Sequence, residues 1–342
     1  MKKSEEKLAI VIPTFRRVST LRCLLSDLLH QTVMPDALVI VDGDPDSGEA
    51  IRMLMQYQFP FGLTVKYISS NHGNAPYQRY LGAEIARGHQ WVIFFDDDIR
   101  MNDIDVIEKM IAPFTWKDRC VVGVSPCIEF PSREYVHREY KGSYPPGSIT
   151  PVGDRVPIVD NEADYLSVAT LRGGCMAYCL KDLLAVMFSE DAFAMSHIRC
   201  GLGVDDTFLS RQVSQFGELI YAACARVIHP DSDMPQAYPA RGYKLAYARA
   251  FSRRFINDNY RIKQHPTLSD RLFLIKYLVG HIGLGFWCAF RTMDKSRFAY
   301  AWGYLIGAIR AFIQKPTAKN LTPYINWRID AEQALVKMVL IQ

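Results

Sequence analysis

The chain has 342 residues, 49% of them hydrophobic and 22% charged. These are ordinary proportions for a globular protein with a sizeable core, in one large domain or two modest ones. Eight cysteines without a C-x-x-C pair, in a chain this long, argue against a disulfide-stapled secreted module and for reduced thiols in the cytosol. The five-residue apolar run before Pro13 is too short for a signal peptide. The net charge of +4 conceals a division. Residues 241–342 carry 17 Lys and Arg against 5 Asp and Glu, and the first 240 carry 23 against 31. An acidic front joined to a basic tail suggests that the tail meets an anionic surface.

In chain order, "LAIVI" (8–12) reads as a short buried strand, and Leu21, Leu24, Leu25, Leu28 and Leu29 mark one face of a helix. "ALVIV" (37–41) is the next strand, followed by the polar loop "DGDPDSGE", a helix, and a strand at "LTVKYI" (63–68). A helix over about 75–87 precedes "WVIFF" (91–95), and a further helix precedes "CVVGV" (120–124). Near-continuous apolar strands alternating with helices predict a parallel sheet covered on both faces. Residues 130–165 are rich in Pro, Gly, Tyr and charge and lack a period, as a functional loop or lid would be, with Tyr135, Tyr140 and Tyr144 as candidate sugar-stacking rings. Order returns with "LRGGCMAYCL", a helix from about 181, "GVDDTFLSRQV" and "ELIYAACARVIHP", and residues 241–342 read as wholly helical.

The chemistry concentrates in "FFDDD", where Asp96, Asp97 and Asp98 follow a buried strand. Ligands of open parallel sheets bind outside the carboxyl ends of the strands. Adjacent carboxylates repel unless a cation sits among them, and an all-oxygen cluster suits Mg²⁺ or Mn²⁺, which shares its shell with substrate phosphates. The bland alternative is a solvated turn, with Asp98 capping a helix near residue 103. Two other chemistries are excluded. No G-x-G-x-x-G follows the first strand, as a dinucleotide site requires. Arg100 stands where an aspartyl phosphatase would carry Thr.

Several ordered motifs over about residues 7–230 resemble the inverting family-two glycosyltransferases of the GT-A fold. They are "IVIPTFRR", "VIVVDGDPDS", "GNAPYQRYLGAEIARGHQWVIFFDDD", "RGGCMAYCL" and "GVDDTFLSRQV". The resemblance implies an α/β nucleotide-diphospho-sugar transferase domain over 1–240, with a basic helical region over 241–342. It implies a donor site at Pro13, Thr14, Arg16, Asp42 or Asp44, Arg79, Asp96 and Asp97, with Gly173 and Gly174 lining the sugar. It implies a divalent metal, Mn²⁺ or Mg²⁺, at Asp98 with Asp96 and His229. It implies Asp206 as the catalytic base, or Asp205 in the other register. Paired acids suit a base, because a like-charged neighbour raises one pKa toward the operating pH. Each motif has a plainer reading as well: a β-bulge for the glycines, a helix N-terminus for the acid pair, a packing role for the lone histidine.

The tail holds a 19-residue apolar stretch, 272–290, interrupted by Lys276 and His281, and a second over 298–313. Its length fits a span, but its charges fit better a helix lying on an anionic membrane; packing or oligomer helices are the alternative. The implied partners are a nucleoside diphosphate sugar, a glycan or lipid-linked acceptor, a peripheral membrane contact at the inner face of the cell membrane and another copy of the chain. Nucleic acid is not among them, because the basic tail interleaves charge with long apolar runs instead of presenting a polar stripe. The competing functional class is a non-catalytic nucleotide-sugar-binding subunit of a glycan assembly complex.

Overall fold

A computed structural model describes residues 7–70, 73–131, 147–148, 156, 158, 163–187, 205–230, 246, 250, 268–313 and 338–341. Tyr135, Tyr140 and Tyr144 lie outside them, as does the side chain of Asp205. The core is one nine-stranded sheet. Its strands are β1 (Leu8–Thr14), β2 (Ala37–Asp42), β3 (Thr64–Ser69), β4 (Trp91–Phe95), β5 (Val121–Glu129), β6 (Tyr165–Val168), β7 (Cys175–Cys179), β8 (Glu218–Ile228) and β9 (Met338–Leu340), in the order β6-β8-β5-β7-β4-β1-β2-β3-β9. The helices are α1 (Val18–Leu28), α2 (Glu49–Met55), α3 (Ala75–Ile85), α4 (Val106–Ile111), α5 (Leu180–Met187), α6 (Asp205–Val213), α7 (Leu268–Thr292) and α8 (Lys295–Ile313).

The predicted strand–helix alternation is present, and β1, β2 and β4 are buried on both faces, with β3 buried on one and half-buried on the other. Along β1, Leu8, Ile10 and Ile12 join one apolar cluster, and Ala9 and Val11 join the other. One expectation is refined and one is corrected. The sheet is parallel through β3, β2, β1 and β4 but mixed beyond them: the chain enters β7 at the carboxyl end of β4, with Cys175 opposite Phe95, so β7 runs antiparallel to both β4 and β5. The tail is not wholly helical either. Residues 338–340 add an antiparallel strand to β3, satisfying the edge that β3 would otherwise expose, and Ile341 N–H donates to Val65 C=O.

The chain runs from β1 outward to β2 and β3, then returns to place β4 on the other side of β1. The crevice outside the carboxyl ends of β1 and β4 is therefore the switch point where such sheets bind ligands. α3 closes over the neighbouring strands. Its Asn74 side chain accepts from Tyr77 N–H at the N-terminus. The buried Gln78 amide donates to Thr14 C=O (2.8 Å) and Val41 C=O (2.6 Å), tying together the ends of β1 and β2.

The closeness of α3 to β1 depends on Gly82, where an added Cβ would fall 2.1 Å from Val11 Cγ1. Gly82→Ala should therefore destabilise the domain by roughly 1–3 kcal/mol, the cost of overpacking a tight core. The better helix propensity of alanine, worth about 1 kcal/mol, does not offset a clash between two elements that cannot separate freely. Urea unfolding would register this as a lower midpoint at unchanged slope; an unchanged midpoint would refute it.

Candidate active site

The residues after β4 form the centre of the site. Asp96 N–H donates to Gly174 C=O, and Ile99 N–H turns back to Asp96 C=O. Arg100 then pairs with Ile228 through two backbone hydrogen bonds of 2.8 Å, which brings the end of β8, and with it His229, beside the acids. The side chain of Arg100 grips Asp27 of α1 with two N–H groups, and Met101 N–H donates to the same carboxylate. The acidic turn is thus clamped between α1 and β8.

Three adjacent carboxylates coexist because they point to different partners. Asp96 receives Arg79 Nη2. Asp97 turns inward, where Thr14 Oγ1 donates to it (2.8 Å) and Arg17 Nη1 lies at 3.2 Å. Asp98 Oδ2 takes the same Arg17 nitrogen at 2.6 Å. Burial, opposed by Arg17 and reinforced by Asp98, pushes the Asp97 carboxyl up to about 7. Burial also raises Asp98, with His229 opposing and Asp96 reinforcing. Asp97, expected at the nucleotide, has both oxygens engaged from the interior, Oδ2 by Thr14 and Oδ1 by Arg17. Asp98 is not a helix cap, since α4 begins at Val106 with Asp105 before it.

One oxygen is left over. Asp98 Oδ1 is buried and has no hydrogen-bond partner, and His229 Nε2 lies 3.6 Å from it. Ligand atoms of Asp96, Asp98 and His229 lie within 4.8 Å of one another. An orphaned carboxylate oxygen, a second carboxylate and an imidazole converging on one point fit a divalent ion. Such an oxygen is otherwise costly to bury. The His229 ring stacks on Phe130 (5.3 Å between centroids), and the Arg172 guanidinium lies 4.8 Å from the Phe130 ring centre.

Asp206 reaches the same place from α6. Its Oδ2 accepts Gly173 N–H (2.7 Å), and its Oδ1 accepts Thr207 N–H (2.6 Å). Gly173 and Gly174 thus stand between the two halves of the site. Gly173 holds Asp206, and Gly174 holds Asp96 through its carbonyl. An added Cβ on Gly173 would sit 3.0 Å from Asp206 Oδ2. Gly174 has φ +100°, a left-handed conformation that favours glycine.

The remaining expected residues divide by exposure. Pro13 and Thr14 are buried in β1 and form the floor. Asp42 is 2% exposed, with both oxygens taken, one by Tyr67 Oη–H (2.8 Å) and one by Asp44 N–H (2.9 Å). Burial raises its carboxyl above the usual range, and those two hydrogen bonds oppose it. Asp44 is the acid nearer the solvent. It pairs with Arg16 Nε at 2.6 Å, and Arg16 holds φ +58° to turn the chain out of β1. Arg17 and Gln78, the residues that brace the site, were not among the sequence candidates. The only trace of Arg17 was its place beside Arg16 after the first strand.

Residues 9–169 match the family model described as Glycosyl transferase family 2. The match takes in the acidic turn and ends before Gly173, Asp206 and His229. Poly(ribitol-phosphate) beta-N-acetylglucosaminyltransferase TarP of Staphylococcus aureus is 29% identical over 97 residues, 27% of this chain. An uncharacterized glycosyltransferase of Haemophilus influenzae is 34% identical over 91 residues, also 27% of this chain. The chain spans only 28% and 29% of the lengths of these relatives. Among solved structures, S. aureus TarS 1–349 in complex with UDP-GlcNAc superposes with a TM-score of 0.54 at 14% identity, covering 96% of this chain and 89% of that one. The architecture is that of the GT-A glycosyltransferases, a central multi-stranded sheet flanked by helices with a helical C-terminal region.

Proposed function

We propose that the chain is a metal-dependent inverting glycosyltransferase. It transfers a sugar from a nucleoside diphosphate sugar to a hydroxyl of a glycan or lipid-linked acceptor, in cell-envelope polysaccharide synthesis on the cytoplasmic side of the membrane. One observation carries this reading: the orphaned oxygen of Asp98, converging with Asp96 and His229, lies across a Gly-Gly step from the carboxylate of Asp206. Mn²⁺ or Mg²⁺, when bound there, supplies positive charge for the departing diphosphate.

The protein's own residues do the rest. Arg17 holds Asp98 by Oδ2, and Oδ1 is left toward His229. Arg79 fixes Asp96 from the opposite side. The Gly173 and Thr207 amides fix Asp206. As the acceptor oxygen bonds to the anomeric carbon, its proton passes to the Asp206 carboxylate. The bond from that carbon to the diphosphate oxygen breaks on the other face, and the configuration inverts without a covalent intermediate. Asp44, paired with Arg16 at the rim, meets the base of the nucleotide in this reading.

The experiment is a donor turnover assay with Mn²⁺, with the anomeric configuration of the product read by NMR. UDP-GlcNAc is the first donor to try, because the relative TarP is by name an N-acetylglucosaminyltransferase. Turnover with inversion supports the proposal. Donor binding without turnover across a panel of acceptors would favour the scaffold reading. Full activity in a chelator would overturn the metal's role.

A further inference from the structure

α7 and α8 pack as a hairpin. Leu278 and Ala289 of α7 and Ala301, Tyr304 and Ala308 of α8 are buried, with His281 stacked on Tyr304. An added Cβ on Gly285 would lie 3.2 Å from that of Ala301, so the two backbones approach closely. What the hairpin does not bury is unusual. Leu268, Leu272, Ile275, Val279 and Phe290 are exposed along one stripe of α7 beside the face packed on α8, and Leu284 and Trp287 are exposed further round on its outward side. On α8, Trp302, Ile309 and Ile313 form a matching stripe. Edge contacts of Phe286 with Trp302 and of Phe290 with Phe298 cross between the helices, so both stripes lie on one side of the hairpin.

Cations border this face. Lys276 is exposed beside Ile275, Arg291 is exposed near the turn, and Lys295 begins the α8 column that continues to Trp302. The acid at the turn, Asp294, is engaged locally by Ser296 and Arg297. Among the described residues no helix is long and apolar enough to cross a membrane. α7, with 25 residues, is about 37 Å long, and the exposed Lys276 lies in its first half.

From this geometry we infer that one side of the α7–α8 hairpin docks in the plane of an anionic lipid surface, with its apolar stripes among the acyl chains and Lys276, Arg291 and Lys295 at the headgroups. An amphipathic surface of apolar and aromatic residues edged by cations binds in this way, and attraction of the cations to anionic lipid strengthens it. A second copy of the chain is a poorer occupant, because a twofold pairing of this face would bring cations against cations. The inference goes beyond the proposed function and does not depend on it.

The test is sedimentation of the whole protein, without donor or acceptor, with vesicles of phosphatidylcholine alone or with 30 mol% phosphatidylglycerol, at low and high salt. Binding is expected to the mixed vesicles and to weaken with salt. Lys276→Gln with Lys295→Gln should lower the partition coefficient about thirty-fold. Trp302→Ser with Phe290→Ser should lower it at least tenfold on mixed vesicles. Both pairs change exposed positions, and thermal melting checks that each still folds. Equal binding to the two vesicle types, or binding indifferent to both pairs, would overturn the inference. So would loss of self-association in the Trp302→Ser, Phe290→Ser variant with vesicle binding intact, which would assign the face to a second copy.

Discussion

Asp98→Asn is expected to lower the affinity for Mn²⁺ at least tenfold, and up to hundredfold, by calorimetry or by the free-ion EPR signal. Even removing a group that only supports a ligand typically costs that much. The physical reason is local. Asp98 Oδ1 is the one carboxylate oxygen of the acidic turn that is buried without a hydrogen bond. The other oxygen is held by Arg17. Replacing the acid by its amide keeps the volume but withdraws a negative charge from a point shared with Asp96 and His229. Asp97→Asn gives the contrasting control. Asp97 faces Thr14 and Arg17 in the interior, so its loss should reduce stability more than Mn²⁺ affinity. If Asp98→Asn binds Mn²⁺ as the parent does, the three residues are not a metal site.

Asp206→Asn is expected to reduce kcat by about 10²–10⁴, with little change in donor KM, because general-base catalysis contributes on that scale. The amide is nearly isosteric, so one of the two backbone donors, Gly173 N–H or Thr207 N–H, can still be satisfied, and the fold should persist. What disappears is the capacity to accept the acceptor's proton. Asp205→Asn separates the two registers of the acid pair. Should Asp206→Asn turn over near normally while Asp205→Asn is inactive, the base is Asp205. The Asp98 and Asp206 experiments are independent, since Mn²⁺ affinity is read without turnover, and a failed base assignment would leave the metal site standing.

Much of this molecule is legible from periodicity alone. The strands at 8–14, 37–42, 64–69 and 91–95 emerge from apolar runs that only a doubly covered sheet accommodates, and the acids after "WVIFF" fall where such sheets bind ligands. The candidate site was less legible, because side-chain direction is not a property of spacing. Asp96, Asp97 and Asp98 are equivalent as letters. In the fold Asp97 turns to Thr14 and Arg17, while Asp96 and Asp98 turn to His229. Asp42 and Asp44 divide in the same way, the first buried against Tyr67 and the second paired with Arg16 at the rim. Arg17 and Gln78 escaped notice because their partners are distant in sequence, about 80 and 64 residues away.

Short-range effects select which segments become strands and helices and where negative charge collects, since burial of apolar runs and repulsion among adjacent carboxylates act over short stretches of chain. Long-range packing alone settles that β7 enters the sheet reversed, that residues 338–340 close its edge as a strand, and that Asp206 and His229 meet the acidic turn on either side of Gly173 and Gly174. These outcomes depend on contacts between residues far apart in the chain, and hydrogen-bond partners at that range are chosen by packing.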